Sequence, residues 1–565
     1  MRLINAHTLE LEEFVDETAV EYAILSHRWQ DEEVGFQVYQ DLKAARRLKG
    51  FDKIQRCCRQ ALLEGHGWVW CDTCCIDKSS SAELSEAINS MFRYYQSADV
   101  CYVYLSDVEA HTSSQEHTQD RMMQSGWFTR GWTLQELLAP PRAVFYDRTW
   151  NFLGTKQTLC SALALRTGID EVILNGLDAI SGRSIAQRMS WASERTTTRR
   201  EDLAYCLLGI FDVNMPMLYG EGGKAFVRLQ QEIIRQSADH TIFAWPIPTS
   251  QTAQPGLLAN SPAAFKECQN VWVADSRQDR TPYNMTNRGL SIQLLAIPFM
   301  VDTYLARLNC TYGSTRLGIL LNNDTRIGIF LRRLNGDDQY ARVTYQGQTF
   351  IQAGTATWTV ETRGSGYRDL TRLLPINVPQ ALAKADRVVF KDRINGFRIC
   401  PELLEHTPKG KPRFQVTPAA HFDKERGIIH MPPSIARSAG AVGTLDISAQ
   451  RQNMKKIKLG FDYDFNPVCF IATSGDSSID SRSPFDDMYW SKTGRSNAFS
   501  FDQAGELWAV KGDRIDGLKA RLGNVCSLRI VRTEVDDTLV WDVLIEDMYE
   551  GGVNKVMRRF MQTGS

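Results

Sequence analysis

The stretch Trp127-Phe-Thr-Arg-Gly-Trp-Thr-Leu-Gln-Glu-Leu-Leu138 indicates both the fold class and the chemistry of this chain. It predicts a short helix, because Ser125 precedes it as a candidate N-cap and two prolines at 140–141 follow it. Its apolar residues recur at helical spacing and predict one buried face: Trp127, Leu134, Leu137 and Leu138. Trp132 and Glu136 are four residues apart and therefore share a helix face. A carboxylate among apolar residues is either a structural charge at the edge of the hydrophobic core or a functional group.

The composition excludes several classes of protein. The chain has 565 residues, 43% hydrophobic and 23% charged, as expected of a soluble globular protein. Its net charge of -1 creates no overall field that would attract nucleic acid or an anionic membrane. The first residues lack a signal-peptide core and no long apolar run predicts a membrane span, so we expect a cytoplasmic protein. Its 13 cysteines are then expected to be reduced thiols.

Short apolar runs alternate with amphipathic segments in the first part of the chain. We predict strands at residues 22–26, 68–72, 99–105 and 142–146, helices at 51–64 and 82–97, and a polar loop at 111–120. This alternation predicts an α/β domain with a parallel sheet flanked by helices. Ligands of such sheets bind outside the carboxyl ends of the strands. Polar residues follow the predicted strands at 26–33, 72–78 and 106–107, and we expect them to line one edge of the sheet.

The pattern changes twice further along the chain. Residues 158–237 have helical periodicity, with clear helices predicted at 184–194, 202–211 and 225–235. After residue 245, β-forming runs between turn residues predict one or two sandwich-like units, with a strand at 387–390 and a long polar loop at 474–495. The predicted domains are therefore residues 1–155, 156–245 and 246–565. The glycine-rich segment at 220–224 is not a phosphate-binding loop, because Ala225 stands where a hydroxyl residue is needed.

Four motifs occur in the order typical of a known family. They are Tyr22-Ala-Ile-Leu-Ser-His-Arg-Trp29, Trp70-Cys-Asp-Thr-Cys-Cys-Ile-Asp77, residues 91–105 and residues 127–136, and together they resemble the fungal heterokaryon-incompatibility (HET) domain. Residues 199–223 resemble the segment that follows the domain in many such proteins, so the resemblance covers roughly residues 1–245. Lys78 departs from the family pattern, which usually has a glutamine at that position.

The HET domain is similar, more distantly, to TIR domains. Trp132-Thr-Leu-Gln-Glu136-Leu resembles the TIR motif Trp-Cys-Leu-x-Glu-Leu, whose glutamate is the catalytic residue of TIR enzymes that split NAD+. The resemblance implies a TIR/flavodoxin-like sheet and places Ser26, His27 and Arg28 in the loop that lines the nucleotide pocket. NAD+ would then be the substrate, and no separate cofactor is expected.

The chemistry implied by this resemblance assigns a role to each candidate residue. Cleavage of the nicotinamide–ribose bond passes through an oxocarbenium-like state, which one carboxylate, Glu136, would stabilise. Trp132 or Trp29 would stack on a ring of the substrate. Arg28 would pair with a phosphate, and Asp72 would hold either a loop or a ribose hydroxyl. For each of these residues a structural role, such as packing, a loop cap or an ion pair, stays open.

The cysteines at 71–75 resemble part of a zinc site, but the spacing of the other cysteines does not complete it. Cys71-Asp-Thr-Cys-Cys75 contains half of a zinc site, and no second pair follows at a suitable distance. We therefore expect buried free thiols and no metal. His27 is either a general base or ligand, or a loop histidine satisfied by the backbone, and the second interpretation is favoured. No Ser-His-Asp order or Gly-x-Ser-x-Gly elbow indicates a hydrolase of that kind.

Two functions are compatible with these expectations. In the first, the protein is an incompatibility or cell-death effector that cleaves NAD+ and is activated by self-assembly into a homo-oligomer. In the second, it is a non-enzymatic interaction module in fungal allorecognition or innate immune signalling, and Glu136 is structural. An upstream sensor protein is a candidate partner. The β-rich region is expected to regulate the N-terminal domain.

Overall fold

The computed structural model describes residues 1–109, 115–247, 256–274 and 282–300 without a break. Between residues 303 and 547 it describes the strands named below and a few adjoining residues. The described chain forms an α/β domain, a helical segment and a region of β-sheets. Among the described residues, no helix combines the length and the apolar content needed to cross a bilayer.

A seven-stranded sheet forms the centre of the N-terminal domain. Its strands are β1 (Arg2–Asn5), β2 (Leu11–Glu13), β3 (Ala23–His27), β4 (Trp68–Trp70), β5 (Val100–Leu105), β6 (Ala143–Asp147) and β7 (Phe152–Thr155). They lie side by side in the order β2-β1-β4-β3-β5-β6-β7. The central strands β4, β3, β5 and β6 pair in parallel, whereas β1, β2 and β7 form antiparallel edges. The prediction of an α/β domain with parallel strands is thus confirmed for the four central strands.

The burial of the strands explains which of them the sequence predicts. Strands of a parallel sheet are buried on both faces and therefore read as continuous apolar runs. All residues of β3 and β6 are buried. By contrast, β2 and β7 are short and carry exposed side chains, so that no apolar run marks them. The edge strands β1, β2 and β7 were consequently not predicted.

The helices of this domain confirm the two long helices predicted from the sequence and correct one predicted loop. They are α1 (Phe36–Tyr39), α2 (Leu42–Ala45), α3 (Gly50–Leu63), α4 (Ser81–Ser97), α5 (Gln115–Met123) and α6 (Thr133–Leu138). The two long predicted helices correspond to α3 and α4, and Ser80 caps α4 by accepting from the Glu83 amide. The polar loop predicted at 111–120 is wrong from residue 115 onward, since α5 begins there. Its glutamine, glutamate, arginine and methionine residues are favourable helix formers. Residues 110–114 lie outside the described part.

The predicted helix over residues 127–138 is broken in the middle. A 3-10 helix, Gly126–Thr129, precedes α6, and Ser125 caps it by accepting from the Trp127 amide. At the break, Arg130 is extended and pairs with Thr196, and the Gly131 amide donates to the Thr196 carbonyl at 2.9 Å. The Ser125 cap is therefore confirmed and the single helix is wrong. A backbone contact with a distant segment prevails over local helical preference at this point.

A helical segment follows the sheet, as predicted. Its helices are α7 (Cys160–Thr167), α8 (Glu171–Leu174), α9 (Ile185–Ser190), α10 (Asp202–Tyr205), α11 (Leu208–Phe211) and α12 (Lys224–Gln236). Further 3-10 helices span Ile180–Gly182, His240–Phe243 and Pro262–Phe265. Ser184 and Gln187 form a capping box at the start of α9. The helix predicted over 202–211 is two short helices, α10 and α11.

The region after α12 consists of β-strands, which confirms its predicted β-rich character. The described strands are β8 (Val271–Val273), β9 (Asn284–Thr286), β10 (Gly289–Met300), β11 (Thr303–Tyr312), β12 (Thr315–Arg316), β13 (Ile319–Leu320), β14 (Arg326–Arg333), β15 (Tyr340–Val343), β16 (Phe350–Ala353), β17 (Thr359–Thr362), β18 (Gly366–Asp369), β19 (Arg372–Val378), β20 (Gly396–Ile399), β21 (Arg413–Thr417), β22 (Phe422–Asp423), β23 (Ile428–His430), β24 (Gly440–Ala449), β25 (Gln452–Phe461), β26 (Pro467–Thr473), β27 (Ser500–Phe501), β28 (Gly505–Ala509), β29 (Leu518–Leu522), β30 (Cys526–Val535) and β31 (Thr538–Asp547).

These strands form one eight-stranded sheet, two six-stranded sheets and two small two-stranded sheets. The strand predicted at 387–390 and the loop predicted at 474–495 lie outside the described residues. The sandwich-like arrangement of this region and the TIR/flavodoxin-like type of the first domain stay predictions.

Candidate functional site

A chain of hydrogen bonds joins the end of β3 to the helix that follows β5. Trp127 Nε1 donates to Ser26 Oγ at 2.9 Å, and the Ser26 hydroxyl donates to Glu136 Oε2. Ser26 is the fourth residue of β3, and Glu136 lies in α6. Trp127 precedes the break in the 127–138 stretch and Glu136 follows it, and both meet at the same hydroxyl. The structure therefore brings together two of the predicted site residues, Ser26 and Glu136.

The Glu136 carboxyl group is buried without a compensating charge in contact. The residue is 8% exposed, and among the described residues its one hydrogen-bond partner is Ser26. Burial raises the pKa of Glu136 from 4.5 to about 8, although the Ser26 hydrogen bond lowers it. The charge of Asp72 raises this pKa further, whereas Arg130 and Arg195 lower it. At neutral pH the group is thus mostly protonated, and small changes in its surroundings will change its charge.

His27 lies in a buried polar cluster at the ends of β3 and β4. Its Nε2 atom is 3.8 Å from Asp72 Oδ1 and 4.0 Å from Glu33 Oε2. Neither ring nitrogen has a hydrogen-bond partner among the described residues. The prediction that the backbone satisfies this ring is therefore wrong. Burial, together with the positive charge of Lys53, lowers the pKa of His27 to about 3, so the imidazole is neutral.

Asp72 and Trp29 interact directly at the outer side of this cluster. Trp29 Nε1 donates to Asp72 Oδ2 at 2.8 Å, and the Lys78 ammonium lies 3.6 Å from the centre of the Trp29 ring. The Trp29 side chain is 46% exposed. This hydrogen bond joins the loop after β3 to the loop after β4. One face of the Trp29 ring is already occupied by a cation, which restricts stacking with a ligand to the other face.

Arg28 is the exposed cation nearest to the Ser26–Glu136 pair in sequence. A Cβ atom added to Gly126 would lie 2.1 Å from Arg28 Nη1, so the guanidinium group lies directly against the backbone at Gly126. Asp107 accepts hydrogen bonds from the same turn, from Ser125 Oγ at 2.6 Å and from the Gly126 amide at 2.8 Å. No ion pair of Arg28 is found among the described residues. The guanidinium group therefore lies just after β3, at the same turn as the Asp107 carboxylate.

Trp132 belongs to a different environment from the other candidates. It precedes α6, and its indole lies beside the carboxylate of Asp202 in α10. Burial raises the pKa of Asp202, whereas the hydrogen bond from Trp132 lowers it. Arg195 fixes the neighbouring turn, since its Nη1 donates to the Arg130 carbonyl at 2.9 Å and to Thr133 Oγ1 at 2.8 Å. The structure therefore joins Trp132 to the helical segment, and among the described residues no hydrogen bond links it to the Ser26–Glu136 pair.

A cavity of about 270 Å³ opens between the loops that follow β3 and β4. Trp29, Glu33 and Phe36 line one side, and Thr73 and Lys78 line the other. Neither Ser26 nor Glu136 contributes to its lining. The cavity and the buried acid are therefore separate features at the same end of the sheet, with the His27 cluster next to both.

The sequence does not reveal the hydrogen bond from Trp127 to Ser26, the residue that holds Glu136. Trp127 was assigned to packing alone, because nothing in the sequence indicates a hydrogen bond to a residue 101 positions away. The cysteines agree with their prediction, since every cysteine that the structure describes is buried and free of disulfide bonds. These include Cys71, Cys74 and Cys75.

Comparison with known proteins identifies the N-terminal part of the chain. Residues 22–119 match the heterokaryon incompatibility protein (HET) family, and residues 224–286 match a domain of unknown function (DUF8212). The chain is 46% identical over 218 residues to the vegetative incompatibility protein HET-E-1 of Podospora anserina. This alignment covers 38% of the chain and 16% of that relative's length. No solved structure matches the chain. The HET match contains β3, β4 and β5 together with Ser26, His27 and Asp72, so residues 22–119 of this chain form a HET domain.

Proposed function

We propose that this protein is an incompatibility effector that cleaves the nicotinamide–ribose bond of NAD+, with Glu136 as the catalytic carboxylate. The observation that carries the proposal is a buried carboxyl group with no ion-pair partner among the described residues, hydrogen-bonded to a hydroxyl at the end of a central strand. Such groups are concentrated at functional sites, because their burial is costly. The HET domain and the relationship to HET-E-1 support the role in incompatibility.

The proposed reaction uses the charge of the substrate to ionise the acid. In the free protein, burial keeps Glu136 mostly protonated at neutral pH. A cationic nicotinamide ring next to this group favours the carboxylate and lowers its pKa. When the bond breaks, both bonding electrons pass to the nicotinamide nitrogen, and the positive charge moves to the ribose. The carboxylate stabilises this charge until a nucleophile attacks the ribose carbon.

The residues around Glu136 have supporting roles in this proposal. Ser26 orients the carboxyl group through its hydrogen bond, and Trp127 fixes the Ser26 hydroxyl. Arg28 is exposed and pairs with a phosphate of the dinucleotide. Asp72 holds the Trp29 indole, and the free face of that ring stacks on a base. Because Trp132 lies beside Asp202, we assign it to the stability of the helical segment.

The burial of Glu136 accounts for the proposed dependence on self-assembly. The acid does not line the neighbouring cavity, so a dinucleotide must displace part of its cover to reach it. We propose that contacts between copies of the chain stabilise the opened arrangement. The closed monomer would then be inactive. An enzyme that kills the cell must be inactive until it is triggered.

The experiment compares NAD+ loss with the wild-type protein and with Glu136→Gln and Glu136→Ala, at low protein concentration and under crowding. Glu86→Gln is the matched control, because this exposed glutamate lies on α4. We expect NAD+ loss in the crowded wild type and in Glu86→Gln, and a fall of at least roughly 100-fold in the folded Glu136 variants. NAD+ loss that persists at the wild-type rate in Glu136→Gln would remove Glu136 from the chemistry.

A non-enzymatic interaction module is the second candidate function. It is favoured by the Ser26 hydroxyl, which bonds to both Glu136 and Trp127 and so joins α6 to β3, as a structural link would. In that case no condition produces NAD+ loss, and Glu136→Ala loses stability instead of activity. The same set of variants therefore separates the two functions.

A further inference from the structure

The cluster around His27 contains donor atoms suited to a metal ion. One ligand atom each from His27, Cys71 and Asp72 lies within 4.8 Å of the others. These residues come together because β3 and β4 are adjacent parallel strands, paired at Ile24 and Trp70, so that their carboxyl ends meet. The spacing of cysteines along the chain does not reveal such a site, since its ligands come from two strands.

The His27 ring provides an independent indication of a missing partner. Its side chain is 1% exposed, and within the described part of the chain neither ring nitrogen has a hydrogen bond. A buried polar group without a partner is costly, and native proteins rarely contain one. The Nε2 atom faces Asp72 Oδ1 at 3.8 Å, so both atoms are directed into the same space.

Glu33 supplies a fourth donor with the same property. Its Oε2 atom is buried and lies 4.0 Å from His27 Nε2, and no described residue forms a hydrogen bond with it. The other carboxylate oxygen, Oε1, pairs with the buried Lys53 ammonium. The Lys53 charge balances Glu33, and the Lys78 ammonium also interacts with Asp72 and Cys71, so a divalent cation would share the charges of these two residues with Lys78.

We propose that His27, Cys71, Asp72 and Glu33 bind a Zn²⁺ ion between the loops after β3 and β4. A set of one imidazole, one thiolate and carboxylates suits zinc, which binds nitrogen, sulfur and oxygen at roughly 2.0–2.3 Å in a tetrahedron. Ligand atoms of such a tetrahedron lie about 3–4 Å apart. His27, Cys71 and Asp72, with ligand atoms within 4.8 Å of one another, need a modest closure, and Glu33 would have to move in as the fourth ligand.

Neighbouring groups orient these ligands. The Trp29 indole holds Asp72 Oδ2 and leaves Oδ1 for the metal, while Thr73 Oγ1 lies 3.1 Å from Cys71 Sγ. Hydrogen bonds of this kind fix the direction of metal ligands. The ion would tie the loop containing Arg28 and Trp29 to the loop after β4. This inference is independent of the proposed NAD+ cleavage, because it concerns metal binding alone.

The test measures metal content and the spectrum of the full-length protein. The protein is stripped with a chelator, mixed with one equivalent of Zn²⁺ or Co²⁺, and desalted. We expect one zinc per chain, and a cobalt spectrum with thiolate charge-transfer and tetrahedral bands. Cys71→Ala should lose the charge-transfer band, and Asp72→Asn should weaken Zn²⁺ affinity by at least roughly 10-fold.

Matched controls keep this experiment decisive. His66→Ala removes a histidine that lies near Asp99, and Cys160→Ala removes a thiol on α7, so both should retain one zinc. If the buried Cys71→Ala variant does not fold, Asp72→Asn decides, since the Asp72 side chain is partly exposed. Substoichiometric zinc in the wild type, or equal affinity in the wild type and Asp72→Asn, would overturn the assignment.

Discussion

Replacing Glu136 by glutamine should stabilise the protein at neutral pH while removing the proposed activity. Burial raises the pKa of Glu136 from 4.5 to about 8 in the folded state. The folded state therefore favours the protonated form, and stability falls as the pH rises from 4.5 towards 8. At about 1.36 kcal/mol per pH unit, the cost of ionisation reaches on the order of 3 kcal/mol at pH 7. Glutamine keeps the shape of the side chain, accepts the Ser26 hydrogen bond and carries no charge.

The assay records the midpoint of thermal unfolding for wild type, Glu136→Gln and the control Glu86→Gln at half-unit steps from pH 4.5 to 8.5. We expect the wild type and Glu86→Gln to lose stability in parallel as the pH rises. Glu136→Gln should have a flatter profile and a midpoint at pH 7 higher by about 5–10 °C. At the acid end the three midpoints should converge. If the profiles of Glu136→Gln and wild type were parallel over the whole pH range, the conclusion that burial raises the pKa of Glu136 would be refuted.

The remaining predictions concern the neighbours of Glu136, the packing of the helical segment and the rate of the proposed reaction. Ser26→Ala leaves two buried hydrogen-bond partners unsatisfied, so the free energy of unfolding should fall by about 1–3 kcal/mol in denaturant titrations. Because the Ser26 hydrogen bond lowers the pKa of Glu136, its loss should also move the pH-dependent fall in stability to higher pH. Gly209→Ala places a Cβ atom 2.0 Å from Phe92 Cβ, which should destabilise the contact of α11 with α4 by at least about 1–3 kcal/mol, whereas Gly67→Ala meets no atom and should be neutral in the same titration. If Glu136 must be ionised for NAD+ cleavage, kcat/KM should rise with pH to a plateau above about pH 8, and a rate that falls over this range would contradict that role.

Local patterns in the sequence determine much of the N-terminal fold. The apolar runs at β3, β4, β5 and β6 predict the central parallel strands, because both faces of such strands are buried. The long helices α3 and α4 and the Ser125 cap follow equally from local spacing and chemistry. The motif order also identifies the HET domain, since several long motifs must occur together.

The same local patterns fail where a distant segment supplies the deciding contact. The helix predicted over 127–138 is interrupted at Gly131, because the backbone there bonds to Thr196. The edge strands carry too few apolar residues to be recognised, and pairing alone defines them.

For the candidate site, the sequence by itself determined which polar residues follow the strands and that Glu136 stands among apolar neighbours. Only the tertiary structure decided that Glu136 and Trp127 both bond to Ser26, and that His27 faces Asp72. The reason is physical. Helical and strand periodicity reports on contacts a few residues apart, whereas pKa values and ligand geometry depend on burial and charges brought together by strands that are distant along the chain.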